Sequence, residues 1–370
     1  MSRPMSRPMS RTVMRTLTDE ADRALRHHGD RDTAPGLVDL AVNVRSESPP
    51  QWLREVLAEE ICRLGRYPDP TPAVHAVARR HGRDPREVLL THGAAEAFVL
   101  LARALRPRRP AVVHPQFTEP EAALRDVGCP VERVVLAPPF RLADAVVPDD
   151  ADLVVVGNPT NPTSVLHPAE QLRRLARPGR TLVVDEAFMD GVPGETASLA
   201  ADRDTPGLVV VRSLTKQFSL AGLRIGYVLA GPALVDRVQH GRPLWPVSSP
   251  ALAAARACVG PTGVEQSRTW AREGDRLLAR CVDRLDAVPG VEVTQPAAAP
   301  FVLLRVPDGA RVRARLRDLG FGVRRCDTFP GLGPDWIRVA VRDDATNERF
   351  ARALADAVPA EPAEDVDQCW

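Results

Sequence analysis

One lysine, Lys216, stands among the 49 basic residues of this 370-residue chain, and all the others are arginine. A bias toward arginine explains the others and makes the exception informative. A guanidinium stays protonated and cannot replace an amine as a nucleophile. Because the commonest demand for such an amine is a Schiff base with a carbonyl compound, Lys216 is a candidate for that linkage. The alternative is the chance survival of one lysine.

The residues around Lys216 suit a carbonyl compound that carries a phosphate. Lys216 lies in SLTKQFSLAGLRIGY (213–227), between Ser213 and Arg224. A hydroxyl and a guanidinium are good donors to phosphate oxygens. If the compound is pyridoxal phosphate, Ser213 and Arg224 can bind its phosphate, although the SxxK spacing alone is a weak signal.

Three further motifs could serve the same cofactor. Asp185, in VVDEAF, could pair with a protonated pyridine nitrogen and make the ring an electron sink, or could simply cap a turn. Asn161, in GNPTNPTS, could donate to the ring hydroxyl, although Asn-Pro pairs are routine in turns. The backbone amides of Ala94 and Ala95, in THGAAEAF, could bind phosphate or merely begin a helix.

These motifs follow short apolar segments that alternate with helical patterns. Such alternation indicates an α/β fold with a mostly parallel sheet between helices, and ligands of such sheets bind beyond the carboxyl ends of the strands. GNPTNPTS, DEAF and SLTK are therefore expected to meet at one edge. The predicted strands are 111–115, 131–136, 151–159, 180–188, 207–216 and 223–230, and the predicted helices are 94–105, 119–128 and 169–178.

From about residue 250 the pattern becomes that of a smaller α+β domain, which the segment 37–44 is expected to join. Its predicted elements are a helix (250–287), strands (291–295, 301–306, 321–325, 336–341) and two further helices (309–319, 345–357). The predicted organisation is a disordered tail (1–24), an N-terminal segment joining the small domain (25–60), a large cofactor-binding domain (61–248), the small domain (249–357) and a second disordered tail (358–370).

Composition excludes several classes of partner. A formal net charge of +1 removes the electrostatic case for nucleic acid. No apolar run approaches the ~20 residues that cross a bilayer, so no membrane partner is expected. The six cysteines show no metal-ligand spacing, and a chain of this length does not need disulfides. We expect a protein of the reducing cytoplasm with no metal.

The motifs GAAE, NPTNPT, DEA, SLTK and AGLRIGY, followed by RVAV, resemble in order those of the class I and II aminotransferases. These are fold-type I pyridoxal-phosphate enzymes, and the resemblance spans about residues 25–355. It implies that Lys216 is the Schiff-base lysine and proton shuttle and that Asp185 is the partner of the pyridine nitrogen. The resemblance further implies that Asn161 donates to the ring hydroxyl and that Phe117 stacks on the ring. The phosphate would be bound by Ser213, Arg224 and the amides of Ala94 and Ala95.

Other implied roles concern the substrate and the partner subunit. Arg338 would bind the substrate α-carboxylate, and Asn43 would lie on the substrate side. Tyr67 would cross to the partner's cofactor in a homodimer.

Within that family, the chain is similar to the threonine-phosphate decarboxylases of the cobalamin pathway, with the histidinol-phosphate aminotransferases as close neighbours. The similarity lies in His28-Gly29, in DEAF rather than DEAY, in Trp245 before PVS, and in Arg324 before TFPGL. It implies that His28 and Arg324 lie near a phosphate or carboxylate of the substrate. The departures from the family pattern, which bear on the substrate and not on the cofactor, are Phe188, Arg325, Ser248 and the serine, Ser164, that replaces the customary glycine after NPT.

Two reactions and one inactive role remain open. The first is decarboxylation of a small phosphorylated amino acid, with O-phosphothreonine as the leading candidate, and the second is transamination of an anionic amino acid. They differ in which bond at Cα stands perpendicular to the cofactor ring. Arg324 and His28, in addition to Arg338, favour a substrate with a second anion, because unpaired buried cations are costly. The third possibility is an inactive binding protein. The presence of the one lysine, Lys216, at the Schiff-base position argues against it.

Overall fold

The computed structural model describes residues 23–45 and 47–359, so the tails predicted for 1–24 and 358–370 fall mainly outside the described residues. The strands, in chain order, are β1 (Val38–Asp39), β2 (Val88–Thr91), β3 (Pro110–His114), β4 (Glu132–Val135), β5 (Leu153–Gly157), β6 (Thr181–Asp185), β7 (Leu208–Ser213), β8 (Gly226–Ala230), β9 (Glu292–Val293), β10 (Phe301–Arg305), β11 (Phe321–Gly322), β12 (Arg324–Arg325) and β13 (Trp336–Ala340).

Helices separate most of these strands. Within the described part of the chain, no helix combines the length and the apolar character that a membrane span requires. The α-helices that lie wholly within the described residues are α1 (Gln51–Ile61), α2 (Thr71–His81), α3 (Gly93–Leu105), α4 (Glu119–Asp126), α5 (Ala169–Arg173), α6 (Pro232–Gln239), α7 (Ser249–Cys258), α8 (Pro261–Asp286), α9 (Gly309–Asp318) and α10 (Asp344–Ala357).

The central sheet has seven strands in the order β2-β8-β7-β6-β5-β3-β4. The pairings from β7 to β4 are parallel, whereas β8 runs antiparallel to β2 and β7. The predicted α/β fold with a mostly parallel sheet is confirmed. A sheet covered on both faces needs apolar side chains on both. Accordingly, Val154 and Val156 of β5 lie in one buried apolar cluster, and Val155 lies in another.

Two smaller sheets are built largely from the C-terminal part of the chain. One is antiparallel, with the order β12-β13-β10-β9, and the other pairs β1 with β11 in parallel. Val38 pairs with Phe321 and Asp39 with Gly322, which ties the N-terminal segment to the C-terminal part. The domain boundaries given above stay a prediction.

Two helices differ from the sequence prediction. The long helix predicted for 250–287 is broken, because α8 begins anew at Pro261. Proline lacks the N–H that continues a helix, and its fixed φ suits the first helical position. The helix predicted for 169–178 ends at Arg173.

The last strand of the central sheet also differs, since β8 begins at Gly226 rather than at residue 223. Arg224 has a φ of 59°, in the left-handed region, which a strand does not contain. The residues before β8 therefore form a turn, and this turn presents Arg224 at the edge of the sheet.

A fully buried arginine, Arg212, lies at the end of β7. Its guanidinium donates to three carboxylates, Glu186 at 3.0 Å, Asp190 at 2.7 Å and Glu195 at 2.9 Å. Burial opposes the charge, but these carboxylates raise the pKa of Arg212 above its ordinary value. Since Glu186 follows Asp185 and Arg212 precedes Ser213, the cluster fixes the two strand ends on which the predicted site depends.

Arg212→Met is expected to lower the free energy of unfolding by about 3–5 kcal/mol, because it leaves buried carboxylates without a counter-charge. Denaturant unfolding measures the loss. The matched control is Arg174→Met, since Arg174 pairs with Glu170 on an exposed surface and its change should stay below about 1 kcal/mol. Equal losses in the two variants would contradict the role of the cluster.

Candidate active site

The carboxyl ends of β5, β6 and β7 meet at one edge of the central sheet. Gly157 pairs with Asp185 across β5 and β6, and Asp185 pairs with Val211 across β6 and β7. GNPTNPTS, DEAF and SLTK begin at or just after these positions, so the chain brings the three motifs together as the sequence predicts.

Lys216 lies at this edge in an environment that favours its neutral form. Burial, followed by the charges of Arg338 and Arg224, lowers the pKa of Lys216 to about 8, and Asp185 acts in the opposite direction. A neutral amine is the form that attacks a carbonyl carbon. The amine of Lys216 is therefore available as a nucleophile near neutral pH.

Asp185 is nearly buried at the end of β6, and burial raises its pKa to about 7. Its Oδ1 accepts a hydrogen bond from the backbone N–H of Ala187 at 3.0 Å, so one oxygen does cap a turn. Oδ2 has no hydrogen-bond partner among the residues that the structure describes. A buried carboxyl with a free oxygen gains most from a nearby cation, which is what a protonated ring nitrogen provides.

Arg338, on β13, reaches the loop that follows β5. Its guanidinium donates to Oδ1 of Asn161 and to the carbonyl oxygen of Ala41, while its buried Nε lacks a partner in the described chain. Because Asn161 accepts through Oδ1, its Nδ2 is left to donate. Burial and the charge of Arg324 lower the pKa of Arg338 to about 9, so it is still a cation at neutral pH.

Hydrogen-bond donors that could bind an anion lie close together where β2 and β7 end. Because β8 is antiparallel, its first residue, Gly226, pairs with Thr91 of β2 and with Ser213 of β7. This pairing places the start of α3, which follows β2, beside Ser213. The amides of Ala94 and Ala95 are in the first turn of α3 and have no helical carbonyl to bind.

Arg224 completes this group. A Cβ on Gly93 would stand 2.5 Å from the Arg224 guanidinium, so that guanidinium lies against the start of α3 and would have to shift if residue 93 carried a side chain. Gly93 also has a φ of +77°, which favours glycine independently. The predicted phosphate-binding residues Ser213, Arg224, Ala94 and Ala95 are therefore brought together.

Phe117 and His28 lie against each other at a second side of the site. Phe117 follows β3, and its ring centroid is 5.4 Å from that of His28. Nε2 of His28 hydrogen-bonds to Oε1 of Glu119 at 2.6 Å. The N-terminal segment thus reaches the residue that the sequence predicts to stack on the cofactor.

Arg324 differs from the expectation that it remains available for a second anion. Its guanidinium donates to Oδ2 of Asp32 at 3.1 Å, to the carbonyl of His27 at 2.7 Å and to the hydroxyl of Thr328 at 2.7 Å. The side chain is 2% exposed. A ligand anion would have to displace Asp32 in order to reach it.

Asn43 is buried, and neither of its side-chain polar atoms has a partner in the described chain. A buried amide without partners is costly unless a ligand or water satisfies it. The segment around it is held by Arg342, which donates to the carbonyls of Asp39, Val42 and Val44. Asn43 is thus fixed in place with its hydrogen-bonding capacity unused.

A cavity of about 900 Å³ adjoins Asn43, Lys216 and Phe188. Its volume lies within the range of small-molecule sites. Phe188 packs edge-on against Phe301, with ring centroids 4.9 Å apart. Since Asp185 and Asn161 are not part of its wall, the cavity lies beside the strand-end site rather than coinciding with it.

Tyr67 stands apart from the other predicted site residues. Its side chain is 75% exposed and stacks on Trp245, with ring centroids 4.2 Å apart. Among the described residues, no contact links Tyr67 to Lys216 or to Arg224, so a single subunit does not bring it to the site.

Two residues that support the site are not among those predicted from the sequence. Thr215 Oγ1 hydrogen-bonds to Ser213 Oγ at 2.7 Å, and Glu119 holds His28. Thr215 could have been found as a second hydroxyl in SLTK. Glu119 could have been found as an acid two residues beyond the strand-end aromatic.

The donor set suits pyridoxal phosphate: a group of phosphate donors, an amine whose pKa is lowered to about 8, a buried carboxyl and a free amide donor. Residues 35–354 match the family of class I and II aminotransferases. The chain belongs to the class I and II aminotransferases.

Two relatives and one solved structure illustrate the membership. The chain is 52% identical over 325 residues to a histidinol-phosphate aminotransferase of Mycobacterium tuberculosis, covering 87% of this chain and 88% of that protein. It is 31% identical over 336 residues to the threonine-phosphate decarboxylase of Salmonella typhimurium, covering 87% and 91%. The crystal structure of L-threonine-O-3-phosphate decarboxylase from Porphyromonas gingivalis matches with a TM-score of 0.78 and 26% identity, covering 86% of this chain and 98% of that one.

Membership in this aminotransferase family confirms the fold-type I architecture and makes pyridoxal phosphate the cofactor of this enzyme. The residue assignments that the resemblance implied remain proposals, supported by the contacts above.

The pKa of about 8 predicts how the cofactor-free enzyme takes up pyridoxal phosphate. Below pH 8, the rate at which Lys216 links to the cofactor should rise about tenfold per pH unit, because the neutral fraction of the amine rises by the same factor. Above pH 8, the rate should become constant. Borohydride trapping followed by mass spectrometry measures the rate on Lys216, which has no competing lysine in the sequence. In Arg338→Gln, the pH at which the rate stops rising should be higher, because the variant loses a positive charge that disfavours the ammonium form of Lys216. If that pH were unchanged in Arg338→Gln, the charge of Arg338 would not be a cause of the lowered pKa of Lys216.

Proposed function

We propose that this enzyme acts on a small amino acid that carries a phosphate, with O-phosphothreonine as the leading substrate and decarboxylation as the reaction. The observation that carries the proposal is the approach of the chain segment at His28 and Gly29 to Arg338. A Cβ on Gly29 would stand 3.6 Å from the Arg338 guanidinium, so the residue next to His28 lies against Arg338. Arg338 can therefore bind the α-carboxylate while His28 meets a second anion beside it.

Pyridoxal phosphate, when bound, supplies an aldehyde that links to amines and a ring that accepts electrons from a bond at the substrate's Cα. Lys216 would hold the cofactor and move a proton to and from the substrate. Asp185 would hold the charge of the ring nitrogen, and Asn161 would donate to the ring hydroxyl through Nδ2. Phe117 would pack on the ring.

Arg324 enters this proposal in a changed role. Its contacts with Asp32 and with the carbonyl of His27 hold the N-terminal segment that carries His28. It would therefore support the second anion site from behind, and would contact the phosphate directly only after an exchange with Asp32.

Transamination is the second candidate. Arg338 is bound to Asn161, the residue assigned to the ring hydroxyl, and this contact favours a carboxylate held near the ring plane. In that orientation the C–H bond at Cα is the one that breaks. The name of the relative from Mycobacterium tuberculosis supports this alternative, whereas that of the relative from Salmonella typhimurium supports decarboxylation.

A homodimer with shared active sites is part of the proposal. The stack of Tyr67 on Trp245 joins two segments that also expose Leu64 and Leu244. Exposed apolar side chains gathered in one patch mark an interaction surface. A second subunit on this patch would give Tyr67 a role at the partner's cofactor phosphate.

If O-phosphothreonine is the substrate, the enzyme serves cobalamin biosynthesis in the cytoplasm. The cysteines that the structure describes are free thiols, which suits a reducing compartment.

One incubation separates the two reactions. The enzyme is mixed with O-phosphothreonine, with and without 2-oxoglutarate, and both CO₂ and glutamate are measured. We expect CO₂ in both mixtures, because decarboxylation needs no amino acceptor. Glutamate formed only with 2-oxoglutarate would instead establish transamination, and histidinol phosphate is then the next substrate. If threonine reacts as well as O-phosphothreonine, the argument for a second anion fails.

Tyr67→Phe is expected to weaken cofactor binding by about 1–2 kcal/mol, the value of one hydrogen bond to a charged group. Mixed dimers test the crossing. When Tyr67→Phe subunits, which keep Lys216, are mixed with Lys216→Ala subunits, which keep Tyr67, full affinity should return at half of the sites. No recovery in dimers shown to be mixed would mean that Tyr67 does not cross.

A further inference from the structure

Arg242, in the loop between α6 and α7, spans the turn that joins β2 to α3. Its Nη1 donates to the carbonyl oxygen of Leu90 in β2 at 2.8 Å, and its Nη2 donates to Oε2 of Glu96 in α3 at 2.8 Å. The side chain is 6% exposed, and its Nε is buried without a partner among the described residues. One buried guanidinium is therefore held by an acceptor on each side of the turn.

Glu96 stabilises the start of α3 without using the amides that are assigned to the phosphate. Its Oε2 accepts from the backbone N–H of His92 at 2.6 Å. His92 is the N-cap of α3, and its own side chain makes no capping hydrogen bond. Because Glu96 binds the N–H that precedes the helix, the N–H groups of Ala94 and Ala95 keep their hydrogen-bonding capacity.

The position of Glu96 opposes the binding of an anion at the same end of the helix. A carboxylate and a phosphate both favour the positive end of a helix dipole, and they repel each other. Glu96 follows Ala95 directly in the chain, and its carboxylate binds the residue that begins the helix. Arg242 supplies the balancing positive charge at 2.8 Å. Because the Arg242 side chain is almost fully buried, salt screens this pair less than an exposed pair.

We propose that Arg242 is a positioning residue for the cofactor phosphate, which acts by neutralising Glu96 at the start of α3. Arg242 does not touch the phosphate in this arrangement. Its contact with the Leu90 carbonyl keeps the guanidinium at the Glu96 carboxylate, so the first-turn amides face an anion without a competing negative charge. The inference rests on the proposed assignment of the phosphate-binding residues and is independent of the substrate and of the reaction.

Pyridoxal is the comparison ligand, because it has the aldehyde and the ring of pyridoxal phosphate but no phosphate. Holoenzyme is dialysed against decreasing concentrations of free pyridoxal phosphate, and the fraction that stays bound gives the dissociation constant. Enzyme loaded with pyridoxal gives the second constant in the same way. In Arg242→Met, the affinity for pyridoxal phosphate should fall about tenfold, because an unpaired carboxylate then lies near the phosphate. The affinity for pyridoxal should be unchanged.

Rescue separates this role from a merely structural one. Glutamine at position 96 keeps an oxygen that can accept from the His92 N–H, but it has no charge. The double variant Arg242→Met/Glu96→Gln should therefore recover most of the lost affinity for pyridoxal phosphate. In Glu96→Gln alone, that affinity should rise above the unmodified enzyme's, because Arg242 is then an unpaired cation near the phosphate.

Arg237→Met is the matched control. Arg237 donates to the carbonyl oxygen of Leu105, at the opposite end of α3 from the amides. Its replacement removes the same charge from the same part of the fold, and both dissociation constants should stay as they are in the unmodified enzyme.

Equal losses of affinity for the two ligands in Arg242→Met, or no recovery in the double variant, would overturn the inference. If Arg242→Met does not fold, Glu96→Gln decides. Tighter binding of pyridoxal phosphate but not of pyridoxal supports the inference, and unchanged binding of both overturns it. The proposed function is judged separately, since no substrate enters these measurements. Failure of O-phosphothreonine to react would leave the role of Arg242 standing, and failure of the rescue would leave the proposed reaction standing.

Discussion

The active site depends on one buried guanidinium. Arg212 has no access to water, so its charge must be balanced by protein carboxylates held at hydrogen-bond distance. Because Glu186 and Arg212 are chain neighbours of Asp185 and Ser213, this requirement also fixes how the ends of β6 and β7 lie relative to each other. The constraint continues to Lys216, since its neighbour Gln217 donates to the carbonyl of Asp190.

The residues at the ends of parallel strands are the part of the site that the sequence alone predicts. Apolar runs locate the strands, and the carboxyl ends of neighbouring parallel strands share one edge, so the chain order is enough to group Asp185, Asn161 and Lys216. The direction of β8 could not be predicted, because the periodicity of apolar residues is the same for a strand and its reverse. Yet that direction is what sets Arg224 beside Gly93.

The ion-pair partners of the charged side chains also could not be predicted from the sequence. Arginine is so frequent in this chain that its presence at a position carries little information. Arg324 and Asp32 are 292 residues apart and meet only because the N-terminal segment passes over β12. The sequence did not indicate that the guanidinium of Arg324 is already bound to Asp32, and the roles of Arg324 and His28 at a second anion site stay predictions.

Arg342 orders part of the site during folding, before a ligand binds. By donating to the carbonyls of Asp39, Val42 and Val44, it holds the loop that carries Asn43 before any ligand arrives. The conformational entropy of that loop is thus lost during folding and not during binding. A ligand that satisfies the unpartnered amide of Asn43 meets a preorganised wall, so more of its interaction energy remains as affinity.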